Sequence, residues 1–90
     1  MTNENIRQIL QKAFDAEYVE VTDESRAHAG HAEAKNSGGG HYEVVIVSEK
    51  FIGKTLLERH RMVYEALERE IKSGIHALKI TALTREEKNR

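Results

Sequence analysis

The feature that most limits how this chain can fold is the almost continuously apolar segment from His41 to Ser48, HYEVVIVS. The segment is rich in β-branched residues, which favour extended backbone. A strand with one face in water would alternate apolar and polar residues, and this segment hardly does so. It therefore predicts the core strand of the domain, covered on both faces or nearly so.

A helix and a second strand are predicted ahead of this segment. Tyr18 to Asp23 alternates, with Val19 and Val21 on one face, as a half-buried strand does. Asn3 is suited to cap the preceding helix, because its side chain can accept a bond from a free backbone N–H. The apolar residues of that helix recur every three or four positions and are Ile6, Ile9, Leu10, Ala13 and Phe14.

The connection between the two strands, residues 24–40, keeps no period and is small, polar and turn-forming. It is longer than the usual hairpin loop of about 2 to 5 residues, and such loops are typically functional or disordered. Gly38 to Gly40 precede a strand instead of following one. They are interpreted as a flexible loop end and not as a dinucleotide-binding motif.

A helical region and a third strand are predicted after the core strand. Thr55 is suited to cap one long helix or two short stacked ones, and Gly74 suits the left-handed position after the helix end. Ile75 to Leu83 alternates, with His76 on the face that carries the apolar residues Leu78, Ile80 and Ala82. The buried stripe predicted for the helical region is Leu56, His60, Val63, Leu67 and Ile71.

These elements predict one α+β domain over residues 1–90, of the α/β class in the broad sense, with a charged tail at 84–90 and a flexible loop at 24–40. A hairpin makes the first two strands antiparallel. The helical crossover then places the third strand parallel to the second, with right-handed connectivity. The expected order is α-β-β-α-α-β, with a three-stranded mixed sheet and helices on one face.

Composition excludes several classes of function. The chain has no cysteine, so it forms no disulfide, thiolate zinc site or cysteine nucleophile. It has no apolar run of the roughly 18 residues needed to span a bilayer and no signal-peptide pattern at its start, so the cytoplasm is the expected location. A net charge of -1 gives no overall attraction to nucleic acid. No nucleophile, base and orienting group can be assembled, so we do not expect an enzyme.

One motif resembles a phosphate-binding loop but lacks an essential residue. Gly53, Lys54 and Thr55 follow a strand and open a helix, as the end of the pattern G-x-x-x-x-G-K-S/T does. The pattern requires a glycine where this chain has Ser48. Without that glycine the backbone N–H groups do not converge on phosphate, which argues against nucleotide hydrolysis.

The five histidines divide into three groups by context. His28 and His31 could supply two nitrogen ligands, with His41 or His76 as a third, although histidines in a polar loop are usually only solvated. His60 lies on the predicted buried stripe and is expected to be a neutral core residue whose ring bonds a backbone carbonyl. His76 begins a strand, where it can pack on one side and remain open on the other, which suits a ligand.

Basic residues in the second half could form a local phosphate-contacting face. They alternate with glutamates, so a solvated helix surface with i, i+4 ion pairs is the favoured interpretation. The basic residues are Lys50, Lys54, Arg59, Arg61, Lys72 and Lys79, and the glutamates are Glu49, Glu58, Glu65, Glu68 and Glu70.

The strand VVIVS, the F-x-G turn at Phe51 to Gly53, the segment LLERHRMVYEAL and the later IHAL together resemble the BolA family over nearly the whole chain. Asp23-Glu24-Ser25 and the histidine-bearing loop add to the resemblance. It implies a fold like that of class II KH domains. The chain lacks the G-x-x-G loop with which KH domains clamp nucleotides, so RNA binding in that manner is not expected.

The resemblance also implies a partner and a cofactor. It suggests a BolA-like adaptor that pairs with a monothiol glutaredoxin and shares a 2Fe-2S cluster with it and with glutathione, in cluster assembly, trafficking or iron sensing. His76 matches one family ligand and His28 the other, with His31 as the alternative. His60, Gly53 and Phe51 are assigned structural roles. No cofactor is expected in the isolated protein, which would be a monomer or a weak homodimer and would not bind membranes.

A second function is implied for the family, namely DNA binding in transcriptional regulation of morphology and stress response. The residues that would contact DNA here are Lys54, Arg59, Arg61 and Lys72. Near-neutral net charge favours the iron-sulfur function over this one.

Overall fold

The structure, a computed structural model, describes residues 3–24 and 40–90. Within these ranges, a three-stranded sheet has the order β1-β2-β3, with β1 at Tyr18–Asp23, β2 at His41–Val47 and β3 at Ala77–Leu83. β1 runs antiparallel to β2, and β3 runs parallel to it. The predicted mixed sheet with the apolar segment in its centre is confirmed.

The central strand is covered more completely on one face than on the other. Tyr42, Val44 and Ile46 are buried in the core, whereas His41, Glu43 and Val45 between them are half-buried. Val47, on the same face as these three half-buried residues, is fully buried, so the second face is also largely covered, within the expectation of cover on both faces or nearly so. On the more buried face, Val44 lies between its register partners Val21 and Ile80 and belongs to the same core cluster as the helix residues Ile6 and Leu67.

The first helix, α1, spans Asn3–Phe14 and buries Ile6, Leu10 and Phe14, as its apolar spacing predicts. Asn3 is the first residue of the helix and not its cap. Its side-chain amide donates to the carbonyl of Val21 at 3.4 Å, which ties the start of α1 to β1. A single turn of 3₁₀-helix at Glu49–Phe51 follows β2.

Two helices, α2 at Leu56–Ala66 and α3 at Glu68–Ser73, make the crossover from β2 to β3. Thr55 caps α2 as predicted, and it forms a reciprocal capping box with Glu58. Leu56 was expected on the buried stripe but is 66% exposed, because it lies in the first turn, before α2 reaches the core. Val63 and Leu67, also predicted on the stripe, are fully buried as expected, and Leu67 separates the two helices.

The end of α3 differs from the prediction in its backbone. Gly74 has a φ of 177°, so it is extended and not left-handed. The N–H groups of Gly74 and Ile75 both donate to the carbonyl of Glu70, which closes the helix without a left-handed residue. The tail forms one further helical turn, α4 at Arg85–Lys88, which Thr84 caps. None of the helices within the described ranges has the length and hydropathy of a membrane span.

Candidate ligand site at the start of the third strand

His76 lies immediately before β3, and its side chain is exposed. The sequence predicted a strand from Ile75 with Ile75 and His76 on opposite faces. The strand instead begins at Ala77, and Ile75 is 6% exposed and belongs to the core. His76 therefore directly follows the buried Ile75, which fixes the backbone there, while the imidazole ring of His76 remains accessible to a ligand.

The backbone of His76 is fixed by Gly40, on the neighbouring chain segment. The N–H groups of His76 and Ala77 donate to the carbonyl oxygen of Gly40 at 2.8 and 3.1 Å. On the other side, the N–H of Glu24 donates to the carbonyl of His41 at 2.7 Å. The residues that flank segment 25–39 thus lie at the same end of the sheet as His76.

The other predicted ligands are placed only in part. His28 and His31 lie outside the described residues. His41 is the first residue of β2, is half-buried, and pairs in register with Ala77, so it is close to His76 along the sheet. Within residues 3–24 and 40–90, no group of three or more His, Asp or Glu side chains could hold a metal ion.

His60 lies on α2 and is half-buried. Its Nε2 atom is buried and makes no hydrogen bond to another described residue. The expected bond from the ring to a backbone carbonyl is therefore not present at Nε2. A buried nitrogen without a partner has a cost, which the apolar packing of the ring has to offset.

Arg59, a predicted phosphate contact, is instead bound within the protein. Its guanidinium donates to both carboxylate oxygens of Glu87, at 2.7 and 3.2 Å, and to the carbonyls of Lys54 and Ala82, at 3.0 and 2.9 Å. The side chain is only 11% exposed, and the guanidinium lies 5.9 Å from the centroid of the Phe51 ring. Arg59 therefore joins α2, β3 and α4, and contact with DNA phosphate would require it to leave Glu87.

The partner Glu87 was missed at the level of the sequence, although one signal pointed to it. Thr84 and Glu87 have the spacing of a capping box, and both of its reciprocal bonds are present. That motif converts the charged tail into a helical turn and aims the Glu87 carboxylate back toward β3. The bond from Arg59, followed by the bond from the Thr84 backbone, lowers the pKa of Glu87 to about 2.

We expect stability to depend on pH through Glu87. Because its folded pKa is lowered from 4.5 to about 2, the stabilisation is fully present above pH 4.5 and is lost as the pH falls through 2. Glu87→Gln should be less stable than the wild type at neutral pH, and the difference should shrink between these two values. Urea unfolding of both proteins across this range measures it. A difference that stays constant down to pH 2 would contradict the assignment.

The remaining basic residues are accessible to solvent. Lys54, just before α2, and Arg61, on α2, are both exposed. Lys72 pairs with Glu68 at 3.4 Å, which is the predicted i, i+4 arrangement, and its side chain is 76% exposed. Lys79 lies 3.7 Å from Glu24, at the His76 end of the sheet. Of the four predicted DNA contacts, removing Arg59 leaves Lys54, Arg61 and Lys72, which are exposed and do not form a buried or preorganised phosphate site.

Together these features define a class of protein: a small α+β domain with a mixed sheet, a capped helical crossover, and an exposed histidine at the start of the crossover's strand. The family model described as "BolA-like protein" matches residues 10–87 of this chain. The chain belongs to the BolA family.

Individual relatives agree with this assignment. The chain is 47% identical to SufE-like protein 1, chloroplastic/mitochondrial, of Arabidopsis thaliana over 88% of its own length, but it spans only 22% of that protein. It is 38% identical to the DNA-binding transcriptional regulator BolA of Escherichia coli, and the match covers 93% of this chain and 76% of the regulator. The solved structure of BolA1 from Arabidopsis thaliana has a TM-score of 0.83 at 38% identity, with 97% of this chain and 95% of that one covered.

Proposed function

We propose that this protein is a non-enzymatic adaptor that pairs with a monothiol glutaredoxin and shares a 2Fe-2S cluster with it, in cluster assembly, trafficking or iron sensing. The observation that carries the proposal is the exposed imidazole of His76. It lies at the end of the sheet where the histidine-bearing segment 25–39 leaves β1 and enters β2. His28 is the second proposed ligand, with His31 as the alternative.

The donor groups of this chain fit a shared cluster better than a resident one. The chain has no cysteine to provide the thiolates that usually hold iron-sulfur clusters. The described residues offer exposed or half-exposed imidazoles at one end of the sheet and no group of three ligands. A cluster at His76 would therefore need thiolates from outside, which a glutaredoxin cysteine and glutathione supply.

In this proposal each side of the complex contributes one kind of ligand. The cluster is cargo, to which the partner and glutathione bring thiolates and this chain brings imidazole nitrogens from His76 and His28. Imidazole binds metal in its neutral form, so acidification competes with the metal for its nitrogen. A site with such ligands can release its cargo more readily than a site of four thiolates.

Anaerobic reconstitution tests the proposal. The protein is mixed with a monothiol glutaredoxin, glutathione, ferrous iron and sulfide, and is then separated by size exclusion. We expect a complex containing both chains, with a visible absorption spectrum different from that of glutaredoxin reconstituted alone. A spectrum identical to that of glutaredoxin alone, with no complex on the column, would contradict the proposal.

DNA binding is a second candidate function, and the name of the relative in Escherichia coli favours it. The contacts would come from Lys54, Arg61 and Lys72, which are exposed, and not from the paired Arg59. We expect Lys54→Gln with Arg61→Gln to weaken duplex binding and to reduce its salt dependence. Lys12→Gln with Arg69→Gln, which removes two exposed cations outside the candidate set, is the charge-matched control. Equal salt dependence in all three proteins would exclude this surface.

A further inference from the structure

We propose that Gly40 is a positioning residue for His76, an inference that rests on the function proposed above and explains how the ligand is held. Gly40 precedes β2, and His76 precedes β3, so neither residue lies within the regular ladder between these strands. Two bonds from the backbone of residues 76 and 77 to the Gly40 carbonyl join them instead. We call this pair of bonds, with the Gly74 carbonyl beside it, the glycine junction.

The glycine junction requires glycine for two independent reasons. Gly40 has a φ of +83°, a left-handed conformation that side-chain-bearing residues rarely adopt. A Cβ atom at this position would lie 2.2 Å from the carbonyl oxygen of Gly74, which is backbone and has little freedom to move. The same Cβ would lie 3.1 Å from the Cδ2 atom of the His76 ring. A side chain at residue 40 would therefore displace both the backbone before His76 and the imidazole itself.

The glycine junction also restricts the backbone of His76. The carbonyl of Gly40 sets where β3 starts, and the buried Ile75 sets where the preceding chain is anchored. His76 lies between these two fixed points, so its Cα has little freedom while its ring remains exposed. An exposed side chain usually loses conformational entropy when it binds a metal, and a fixed backbone reduces that loss.

Gly53 provides a matched control for the substitution. It has a φ of +77°, almost the same as that of Gly40, but a Cβ there would meet no atom within 4 Å. Gly53→Ala therefore measures the cost of a left-handed alanine alone. Gly40→Ala adds the overlap with the Gly74 carbonyl and the close contact with the His76 ring. The difference between the two variants isolates the junction from backbone strain.

The experiment compares wild type, Gly40→Ala, Gly53→Ala and His76→Ala. Amide hydrogen exchange in the free proteins reports the two bonds of the junction, and imidazole nitrogen NMR reports the His76 ring. Reconstitution with a monothiol glutaredoxin and glutathione then reports cluster retention. We expect Gly40→Ala to lose about tenfold or more of the exchange protection at His76 and Ala77, to shift the ring signals, and to retain less cluster. Gly53→Ala should match the wild type in all three.

Unchanged protection and ring signals in Gly40→Ala would overturn the inference, as would normal cluster retention in a Gly40→Ala protein whose His76 has moved. If Gly40→Ala does not fold, the exchange rates of the wild-type protein test the inference. His76 and Ala77 amides that exchange as fast as the first-turn amide of Leu57 would overturn the inference. Protection equal to that of the amides in the β2–β3 ladder would support it. Full cluster retention in His76→Ala would overturn the proposed ligand as well, and that variant identifies this failure separately.

Discussion

Replacing His76 with alanine is expected to abolish the visible-absorbing complex with glutaredoxin. The proposed site takes two imidazoles from this chain, and His76→Ala removes one of them, the one whose backbone is held at the end of the sheet. Removing a residue that hydrogen-bonds to a metal ligand typically lowers metal affinity by about 10- to 100-fold. Removing a direct ligand should lower the affinity by more than this. Cluster retention after gel filtration, measured by visible absorption and iron content, checks the expectation.

Fold stability is the control for the His76 variant. Because the side chain is exposed and its ring forms no hydrogen bond to another described residue, His76→Ala should change the free energy of unfolding by only about 0.5 kcal/mol or less. His76→Cys should keep a cluster, since a thiolate can take the place of the imidazole. A His76→Ala protein that forms the wild-type complex would show that this residue is not a ligand.

The second ligand can be assigned with the same measurement. His28→Ala is expected to weaken cluster retention, and His31→Ala to leave it unchanged. The opposite pattern would assign His31 in its place. His41 lies at the same end of the sheet, so His41→Ala tests whether the proposed pair of ligands includes it.

The elements that were predicted correctly are those whose signals are local. The apolar run of β2, the period of α1 and the capping residue Thr55 each carry their information within one segment. Their combination gave the mixed sheet, since a hairpin and a helical crossover allow few arrangements. The resemblance to the BolA family likewise depended on contiguous residues, and the family match confirms it.

The features that were missed depend on partners far apart in sequence. Arg59 reads as one of several helix cations until α4 brings Glu87, 28 positions later, against it. Ile75 fits a strand pattern, but the chain turns at the end of α3 and places its side chain in the core. Gly40 reads as the end of a flexible glycine run, although its carbonyl accepts hydrogen bonds from the backbone N–H groups of His76 and Ala77. Sequence periodicity records which residues are apolar and not which distant backbone atoms meet.

Replacing Phe51 with alanine is expected to cause the largest loss of stability among these variants. The ring is fully buried, its centroid lies 5.0 Å from that of Phe14 with the rings tilted by 39°, and the Arg59 guanidinium lies over it at 5.9 Å. Deleting a buried aromatic ring costs about 3 to 5 kcal/mol. A domain of this length has about 5 to 13 kcal/mol in total. Phe51→Ala should therefore be marginally folded, as measured by urea unfolding.

The contribution of the ring pair can be separated from burial alone. Phe51→Leu keeps most of the apolar volume and should cost less than Phe51→Ala, because it leaves a smaller cavity. A double-mutant cycle of Phe14→Leu and Phe51→Leu should give a coupling energy of about 0.5 to 1.5 kcal/mol for the aromatic contact. A coupling near zero would mean that Phe51 stabilises the domain through its buried area. The F-x-G turn would then require a large apolar residue before Gly53, but not an aromatic one.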